Sequence, residues 1–473
     1  MLVLFFGEKQ MKTNTAVSIG SVALIEKVND EYQFFSRIFK GIGGKARNLI
    51  SSTKLFIYNR LDECFSINQI IRGYSPELFD ILKFKSVLSD RTLYRDLSRV
   101  GKNNLFILGN YQQFIVKENF VADKQFIDFT SSYFEGKNAA FGALGYSRDH
   151  EPGKKQLTFG ISTGINGIPT ALTIQNGNVQ DKAHFRFMLK TCEAVLPEGS
   201  LLIFDTGGNT KENKRMILEK KFHYLTLKAK KVGPYKKFIE QYNIGKKEEF
   251  LINEVNYSAV KSVIGGETNY IFFCDKLQKE QLALKERNFK RMLEKNKPIL
   301  KKTKAGKTID TLITEEGMIT TKGTLQQILA DIENPKINGL EGFFILESDL
   351  DIEPERALAL YKDKDKAEKL FRSIKEGTEL RPMRHWSKDA IIGYILVIFL
   401  TNFLINLTLL RVSNPVVKNV KLLKKYLRKL TLVIIYPPTG FKFQVLANIC
   451  PEIDAILGDF IKKYREKEIP NRW

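Results

Sequence analysis

The sequence predicts a mixed α/β fold, in which sheet strands carry helices on their faces. Three β-rich runs follow one another from Phe126 and are separated by turn residues, which is typical of an antiparallel meander. The run at 200–205, SLLIFD, is apolar up to its final Asp, as in a strand buried on both faces, and helical stretches stand on either side of it. Strands that alternate with helices indicate a layered α/β domain.

The composition indicates a globular protein with a polyanionic partner. Hydrophobic residues make up 43% and charged residues 27% of the 473 positions, which excludes a disordered chain. Lys and Arg total 75 against 53 Asp and Glu, a net charge of +22. Nucleic acid is the first partner expected and an anionic membrane surface the second. Four scattered cysteines fit neither a zinc site nor a disulfide framework, and the N-terminus is a poor signal peptide, so we expect a cytoplasmic, nucleoid-associated protein.

One uncharged segment, 390–410, has the length of a membrane span. It also contains polar residues such as Asn402 and Asn406, and the sequence has no second span. A helix buried at the centre of a large domain explains the composition equally well. Because the chain is strongly basic, we favour the buried helix and expect no membrane partner.

Residues 1–120 are predicted to form a helical DNA-binding region. Ser75 and Pro76 open one short helix, and Ser89 caps a second that ends at Gly101. Two short helices joined by a turn suggest a helix-turn-helix. Its second helix would present a basic and aromatic face to DNA, namely Arg91, Tyr94, Arg95 and Arg99. An ordinary solvated basic helix is the alternative.

The remaining chain is divided by a Lys- and Glu-rich stretch that interrupts the α/β order. We interpret it as a largely β insertion between two parts of one domain, followed by a basic helical tail. The predicted boundaries are 121–228 for the first part of the α/β domain, 229–340 for the insertion, 341–412 for the second part, and 413–473 for the tail.

Two aspartates occupy positions where strands place functional carboxylates. Asp205 ends the buried strand just before a Gly-Gly turn, at the sheet edge where α/β proteins bind ligands, although it could simply cap the next helix. Asp128 stands between Ile127 and Phe129 on the first strand of the meander. Burying such a carboxylate is costly unless it is paired or binds a metal; facing solvent is the alternative.

A charged stretch, 361–375, supplies a third carboxylate. On one continuous helix, Glu368 would share a face with one aromatic and three cationic side chains. These side chains are Tyr361, Lys364, Arg372 and Lys375. A solvated, salt-bridged face is the ordinary alternative.

The pattern Tyr361, Lys364, Glu368, Lys375 resembles the YREK signature of DDE transposases of the insertion-sequence four group, with Lys in place of the usual Arg at 364. The similarity extends to IDFTSSYFEG around Asp128, to IFDTGGNTKEN around the second aspartate, and to KEGTELRPMRHW after the helix. It covers about residues 126–410.

This resemblance implies a ribonuclease H-like catalytic domain interrupted by a β insertion. Asp128, Asp205 and Glu368 would be both the catalytic residues and the ligands of two Mg²⁺ ions, with Mn²⁺ as a substitute. The expected partner is double-stranded DNA, as transposon terminal inverted repeats and as target, and the active complex would be a homodimer. Tyr361 and the basic residues around Glu368 would contact phosphates.

The sequence leaves both the activity and the route of excision open. A catalytically inactive DNA-binding protein derived from a transposase, or a general nuclease on the same fold, would share much of this pattern. Excision through a DNA hairpin needs an aromatic partner for an extruded base. Both tryptophans, Trp386 and Trp473, lie outside the insertion, so a Tyr or Phe such as Tyr270 or Phe272 would have to substitute, and the hairpin route stays open.

Overall fold

A computed structural model describes most of the chain between residues 14 and 470. The described residues are 14–43, 46–84, 88–136, 139, 141–145, 151–295, 299–301, 311–314, 317–319, 337–378, 380, 383–436, 441–464 and 467–470. The chain forms two compact units. The first consists of Met1–Ile203, Thr210–Phe222 and Asp363–Trp473, and the second of Phe204–Asn209 and His223–Lys362.

Helices and strands occur in both units, so the fold is mixed α/β, as the sequence predicts. The helices are α1 (Gly20–Tyr32), α2 (Phe34–Ile38), α3 (Ala46–Leu61), α4 (Ile67–Gly73), α5 (Pro76–Ile81), α6 (Asp90–Lys102), α7 (Asn104–Lys117), α8 (Asp181–Glu193), α9 (Lys211–Glu219), α10 (Val232–Ile244), α11 (Asp275–Lys295), α12 (Pro354–Lys362), α13 (Asp365–Arg372), α14 (Lys388–Arg411), α15 (Val420–Lys429) and α16 (Pro451–Leu457). A π-helix, Ser373–Gly377, follows α13, and a 3₁₀ helix, Gly458–Tyr464, follows α16.

The strands are β1 (Thr15–Ser18), β2 (Lys124–Tyr133), β3 (Gln156–Gly164), β4 (Pro169–Asn176), β5 (Leu201–Phe204), β6 (His223–Leu227), β7 (Glu248–Ile252), β8 (Val255–Ile264), β9 (Glu267–Phe273), β10 (Ile299–Lys301), β11 (Thr311–Thr314), β12 (Gly317–Ile319), β13 (Phe343–Ser348), β14 (Thr431–Ile435), β15 (Phe441–Ala447) and β16 (Lys467–Pro470).

The predicted meander is confirmed in the first unit. Its strands β2, β3 and β4 pair antiparallel, and β5 follows β2 in the order β4-β3-β2-β5. All four residues of β5 are buried, as expected for a strand covered on both faces. Helices α8 and α9 flank these strands in sequence, and the Thr210 hydroxyl caps α9 by accepting from the Asn213 amide at 3.1 Å. The arrangement is consistent with the expected ribonuclease H-like sheet.

The second unit contains a sheet in the order β6-β13-β9-β8-β7. Strand β13 pairs antiparallel with both β6 and β9, so strands of the predicted insertion continue the sheet of their flanking segments. The two sides also share a hydrophobic core, in which Tyr242 and Ile271 pack with Phe343 and Ile345. A separate small sheet, β10-β11-β12, lies further along the chain.

The prediction of one helix over 361–375 is wrong. Helix α12 ends at Lys362, a turn covers Asp363 and Lys364, and α13 begins at Asp365. Aspartate is a poor residue for a helix interior and a good one for a first turn, where it complements the helix dipole, so this stretch favours a new helix start. The angular argument that placed Tyr361 on the same face as Glu368 therefore does not hold.

Burial accounts for the uncharged segment. It forms α14, the one helix among the described residues that is long and apolar enough to cross a membrane, with a mean hydropathy of 2.2 and 83% of its most apolar window buried. Helices α3, α6 and α7 pack around it, together with β4. A helix that is apolar on all sides belongs in the middle of such a cluster.

The tail predicted as helical contains strands as well. After α15 the chain forms β14, β15 and β16, and β14 pairs antiparallel with β1 near the other end of the chain. In β14 buried positions alternate with half-buried ones, which is the period-two pattern of a strand. The helical prediction followed the basic residues of this region and not that alternation.

Gly393 tests the close approach of α14 to α6. A Cβ on Gly393 would collide with the main-chain oxygen of Leu97, whereas one on Gly109 of α7 would enter open space. We expect Gly393→Ala to lower the free energy of unfolding by about 1–3 kcal/mol, because the helices must separate. Gly109→Ala should raise it by up to about 1 kcal/mol through helix propensity. Urea unfolding measures both; the same shift in the two variants would contradict the close approach.

Candidate active site

Asp128 is the half-buried residue in the middle of a buried strand. Its neighbours Ile127 and Phe129 on β2 are buried, as is Ile161, its register partner on β3. One carboxylate oxygen, Oδ1, accepts a hydrogen bond from the Phe129 amide at 2.8 Å. The strand fixes the backbone of this half-buried carboxylate, so the simple solvent-facing alternative describes it only in part.

The helix that carries Glu368 packs on the strand that carries Asp128, within the first unit. Leu370 lies on the buried side of α13, at 4% exposure, and Glu368 and Arg372 are exposed. Lys364, the N-cap of this helix, is only 5% exposed. The side chain of Lys375 lies outside the described part of the structure. The structure thus brings the Asp128 strand and the Glu368 helix together.

Asp205 lies immediately after β5, in a turn closed by a hydrogen bond from the Gly208 amide to its carbonyl, 3.0 Å long. The Tyr361 hydroxyl donates to Asp205 Oδ1 at 2.7 Å, and both residues belong to the second unit. Two residues that the sequence argument singled out separately, 156 positions apart, are therefore in direct contact. Tyr361 was expected to bind phosphate; its hydroxyl is instead engaged with a carboxylate.

Sequence reasoning missed the residues that hold the Asp205 turn. Asn209 Nδ2 donates to Glu347 Oε2 at 2.6 Å and to the Leu227 carbonyl at 3.0 Å. Glu347 is the last residue but one of β13, is 2% exposed, and forms an ion pair with Lys228. A glutamate inside the apolar run GFFILES was the available signal, because a carboxylate at a buried strand position requires a partner.

Carboxylate oxygens are ligands that suit a hard divalent cation; Asp128 and Glu368 belong to the first unit and Asp205 to the second. Among the described residues, no group of three His, Cys, Asp or Glu side chains lies close enough to hold one metal ion. The histidines have other partners: His184 is buried between the hydroxyls of Thr158 and Thr173, and His223 Nδ1 lies 2.6 Å from Asp349 Oδ2. A His-based metal centre therefore has no support in the described part of the chain.

Helix α6 has one buried and one exposed face, as the sequence predicts. Arg91, Tyr94 and Arg95 are exposed, and the Ser89 hydroxyl caps the helix by accepting from the Thr92 amide at 3.2 Å. Arg99 is instead engaged in an ion pair with the buried Asp96, at 3.7 Å. The main packing partner of α6 is α14 rather than the preceding short helix. The exposed face stays available to DNA, but the helix-turn-helix packing that suggested it is not what holds α6.

The aromatic residues suggested for stacking on an extruded base cannot serve in this conformation. Tyr270 and Phe272 are both fully buried in β9. Tyr270 donates its hydroxyl to the Leu350 carbonyl at 2.9 Å, and Phe272 stacks on Phe344 with ring centroids 5.0 Å apart. Both rings are part of the hydrophobic core of the second unit.

His385 gives a pH test of the packing beside α6. Its ring lies between those of Tyr94 and Tyr394, and burial lowers the pKa of His385 from 6.5 to about 4, with the positive charge of Arg60 acting in the same direction. Because the unfolded chain binds this proton first, stability is complete above about pH 6.5 and falls as the pH drops toward 4. Between pH 7 and 4.5 we expect His385→Asn to lose about 2 kcal/mol less than wild type. If wild type and His385→Asn lose the same free energy of unfolding over this pH range, the lowered pKa of His385 is wrong.

The ion pair beneath the Asp205 turn gives a second stability test. Lys228→Met leaves the buried Glu347 without its cation, and we expect a loss of about 3 kcal/mol in the free energy of unfolding. Lys261→Met is the matched control in the same unit, because the Lys261–Asp351 pair, 2.9 Å long, is largely exposed and should contribute under about 1 kcal/mol. Chemical denaturation compares the two; equal losses would show that the buried pair has no special weight.

The sequence matches no protein-family model and no curated protein. Among solved structures, a similar chain is that of the cryo-EM structure of a piggyBac transposase synaptic complex with hairpin DNA. The identity is 10% and the TM-score 0.42, over 88% of this chain and 82% of that chain. A likeness at this level assigns neither a family nor a function to this chain.

Proposed function

We propose that this chain is a DNA transposase, which cuts DNA at transposon ends and joins the freed 3′ end to target DNA. The observation that carries the proposal is the hydrogen bond from Tyr361 to Asp205. It joins the first residue of the Tyr-Lys-Glu-Lys pattern to the second carboxylate of the expected triad. The packing of the Glu368 helix on the Asp128 strand is a second, separate support. The finer assignment to the insertion-sequence four group rests on the sequence motifs.

In this proposal Asp128, Asp205 and Glu368 would hold Mg²⁺, which when bound would supply charge stabilisation for phosphodiester transfer. Mn²⁺ is the expected substitute. The chain's own residues prepare the site. Tyr361 fixes one oxygen of Asp205, and the β2 backbone fixes one oxygen of Asp128. Such preorganisation removes motion that the reaction would otherwise have to restrict.

DNA would be held by cations outside the carboxylates. Arg91, Tyr94 and Arg95 form an exposed face without an ion pair in the described part of the chain, suited to the duplex. Arg372, which is exposed on α13, would contact phosphates near the scissile bond, as would Lys375. Lys364 is 5% exposed, so in this conformation it is not placed to make the phosphate contact that the motif predicts. Terminal repeats and target DNA are the substrates, two copies of the chain would pair two ends, and such a protein would work at the nucleoid.

Carboxylate variants test the reaction. The substrate is a plasmid that carries the gene with its native flanking DNA, and the measurements are strand cleavage, 3′-end joining and duplex binding. We expect Asp205→Asn and Glu368→Gln to lose cleavage by on the order of 10²–10³-fold or more, while duplex binding is kept. Chelation of divalent metal should have the same effect on wild type.

Asp365→Asn is the matched control, because Asp365 is exposed on the same helix and pairs with Lys369 at 2.5 Å. It should cleave like wild type. If Asp205→Asn also cleaves like wild type, the triad is wrong. Cleavage without joining would indicate a general nuclease.

A catalytically inactive DNA-binding protein is the second candidate, favoured by the exposed basic face of α6, which does not depend on the carboxylates. It predicts specific duplex binding with no metal-dependent cleavage. In that case Arg95→Ala would weaken binding and lower its salt dependence by about one charge, whereas Asp205→Asn would change nothing.

A further inference from the structure

The π-helix that follows α13 ends against two cations from other elements of the first unit: Arg60, which is buried, and Lys424, which is half-buried. Lys424, on α15, donates from Nζ to the carbonyl of Gly377 at 2.7 Å. Arg60, near the end of α3, donates from Nη1 to the carbonyl of Thr378 at 3.3 Å. We call Arg60 and Lys424 with these two carbonyls the carbonyl clamp. It lies at the end of the helical segment that carries Glu368.

The clamp is internally fixed as well. Arg60, 5% exposed, donates from Nη2 to the Phe65 carbonyl at 2.6 Å and from Nη1 to the Tyr394 hydroxyl at 2.9 Å. Lys424 Nζ also donates to the main-chain carbonyl of Arg60 at 2.9 Å, so the two residues of the clamp are hydrogen-bonded to each other. Burial lowers the pKa of Lys424 below its ordinary value, which shows that holding this charge here is costly.

The acceptors explain why cations occupy this place. The carbonyls at the last turn of a helix have no partner within the helix and carry partial negative charge. Lys424 reaches such carbonyls on two helices at once, Arg60 O at the end of α3 and Gly377 O at the end of the π-helix. An apolar residue would fill the space but could not tie the two ends together.

A second contact holds the start of the same π-helix. The Ser373 hydroxyl donates to Asn402 Oδ1 at 2.6 Å, and Asn402 belongs to the buried helix α14. The segment after Glu368 is therefore fixed at its start by α14 and at its end by α3 and α15. The exposed residue Glu368 thus projects from a helix whose far end cannot shift freely.

We propose that Lys424 and Arg60 are positioning residues for Glu368. They fix the C-terminal end of the helical segment that carries it, and thereby the carboxylate relative to the Asp128 strand on which α13 packs. This proposal rests on the proposed transposase function. Catalytic side chains must be held within about 0.5 Å of their productive positions. The exposed Glu368 carboxylate therefore depends on contacts that fix the helix carrying it.

Lys424→Met tests the clamp, with Lys425→Met as the matched control, because Lys425 is the exposed neighbour on the same helix. Two readouts are taken on the full chain: cleavage rate as a function of Mg²⁺ concentration, and amide hydrogen exchange over residues 365–378, which needs no activity. We expect Lys424→Met to cleave about 10–100-fold more slowly and to need more Mg²⁺ for half-maximal rate. Duplex affinity should stay unchanged, and exchange over 365–378 should become faster. Lys425→Met should match wild type in the rate, the Mg²⁺ requirement and the exchange.

Lys424→Gln keeps a hydrogen-bond donor, so its cleavage rate and its amide exchange should lie between those of wild type and Lys424→Met. If Lys424→Met does not fold, Lys424→Gln takes its place, with Lys425→Gln as the matched control. Exchange and Mg²⁺ dependence equal to those of the control variant would overturn the positioning role. A wild-type chain that cleaves no DNA would overturn the proposed function instead, and the exchange comparison would still decide whether the clamp holds the 365–378 segment.

Discussion

The first unit depends on the burial of α14. Its residues are uncharged for about six turns, and the burial of this apolar surface makes a large hydrophobic contribution to stability. Helices α3, α6 and α7 gather around it, and Gly393 and Gly101 allow α6 to approach backbone to backbone. With α6 held on its inner face, its outer face carries Arg91 and Arg95 in a fixed orientation.

In the second unit, buried and half-buried charged side chains need polar partners. Strands and helices packed this closely leave little room for water, so each carboxylate or cation inside them needs a defined partner. Glu347 has Lys228 and Asn209, and the Asp205 carboxylate has the Tyr361 hydroxyl. The Tyr361 contact thereby fixes one oxygen of a carboxylate that the proposed chemistry would use.

Strands and helices with a clear period could be predicted from the sequence alone. The meander around Asp128, the buried strand before Asp205 and the capped helix after Ser89 all lie where the pattern placed them, because their signals are local. The single helix over 361–375 failed because a continuous helix was assumed from charge spacing, and a turn of two residues removes the shared face. The triad itself stays a prediction.

By itself the sequence determined the basic charge, the elements with a clear period, and the position of Asp205 at a strand end. Only the tertiary structure decided their partners. The contact between Tyr361 and Asp205 joins residues 156 positions apart, and the clamp joins Arg60 to Thr378 across 318 positions and Lys424 to Gly377 across 47. Local propensity carries no information on such pairs, because they form only when packing brings separate elements to one place.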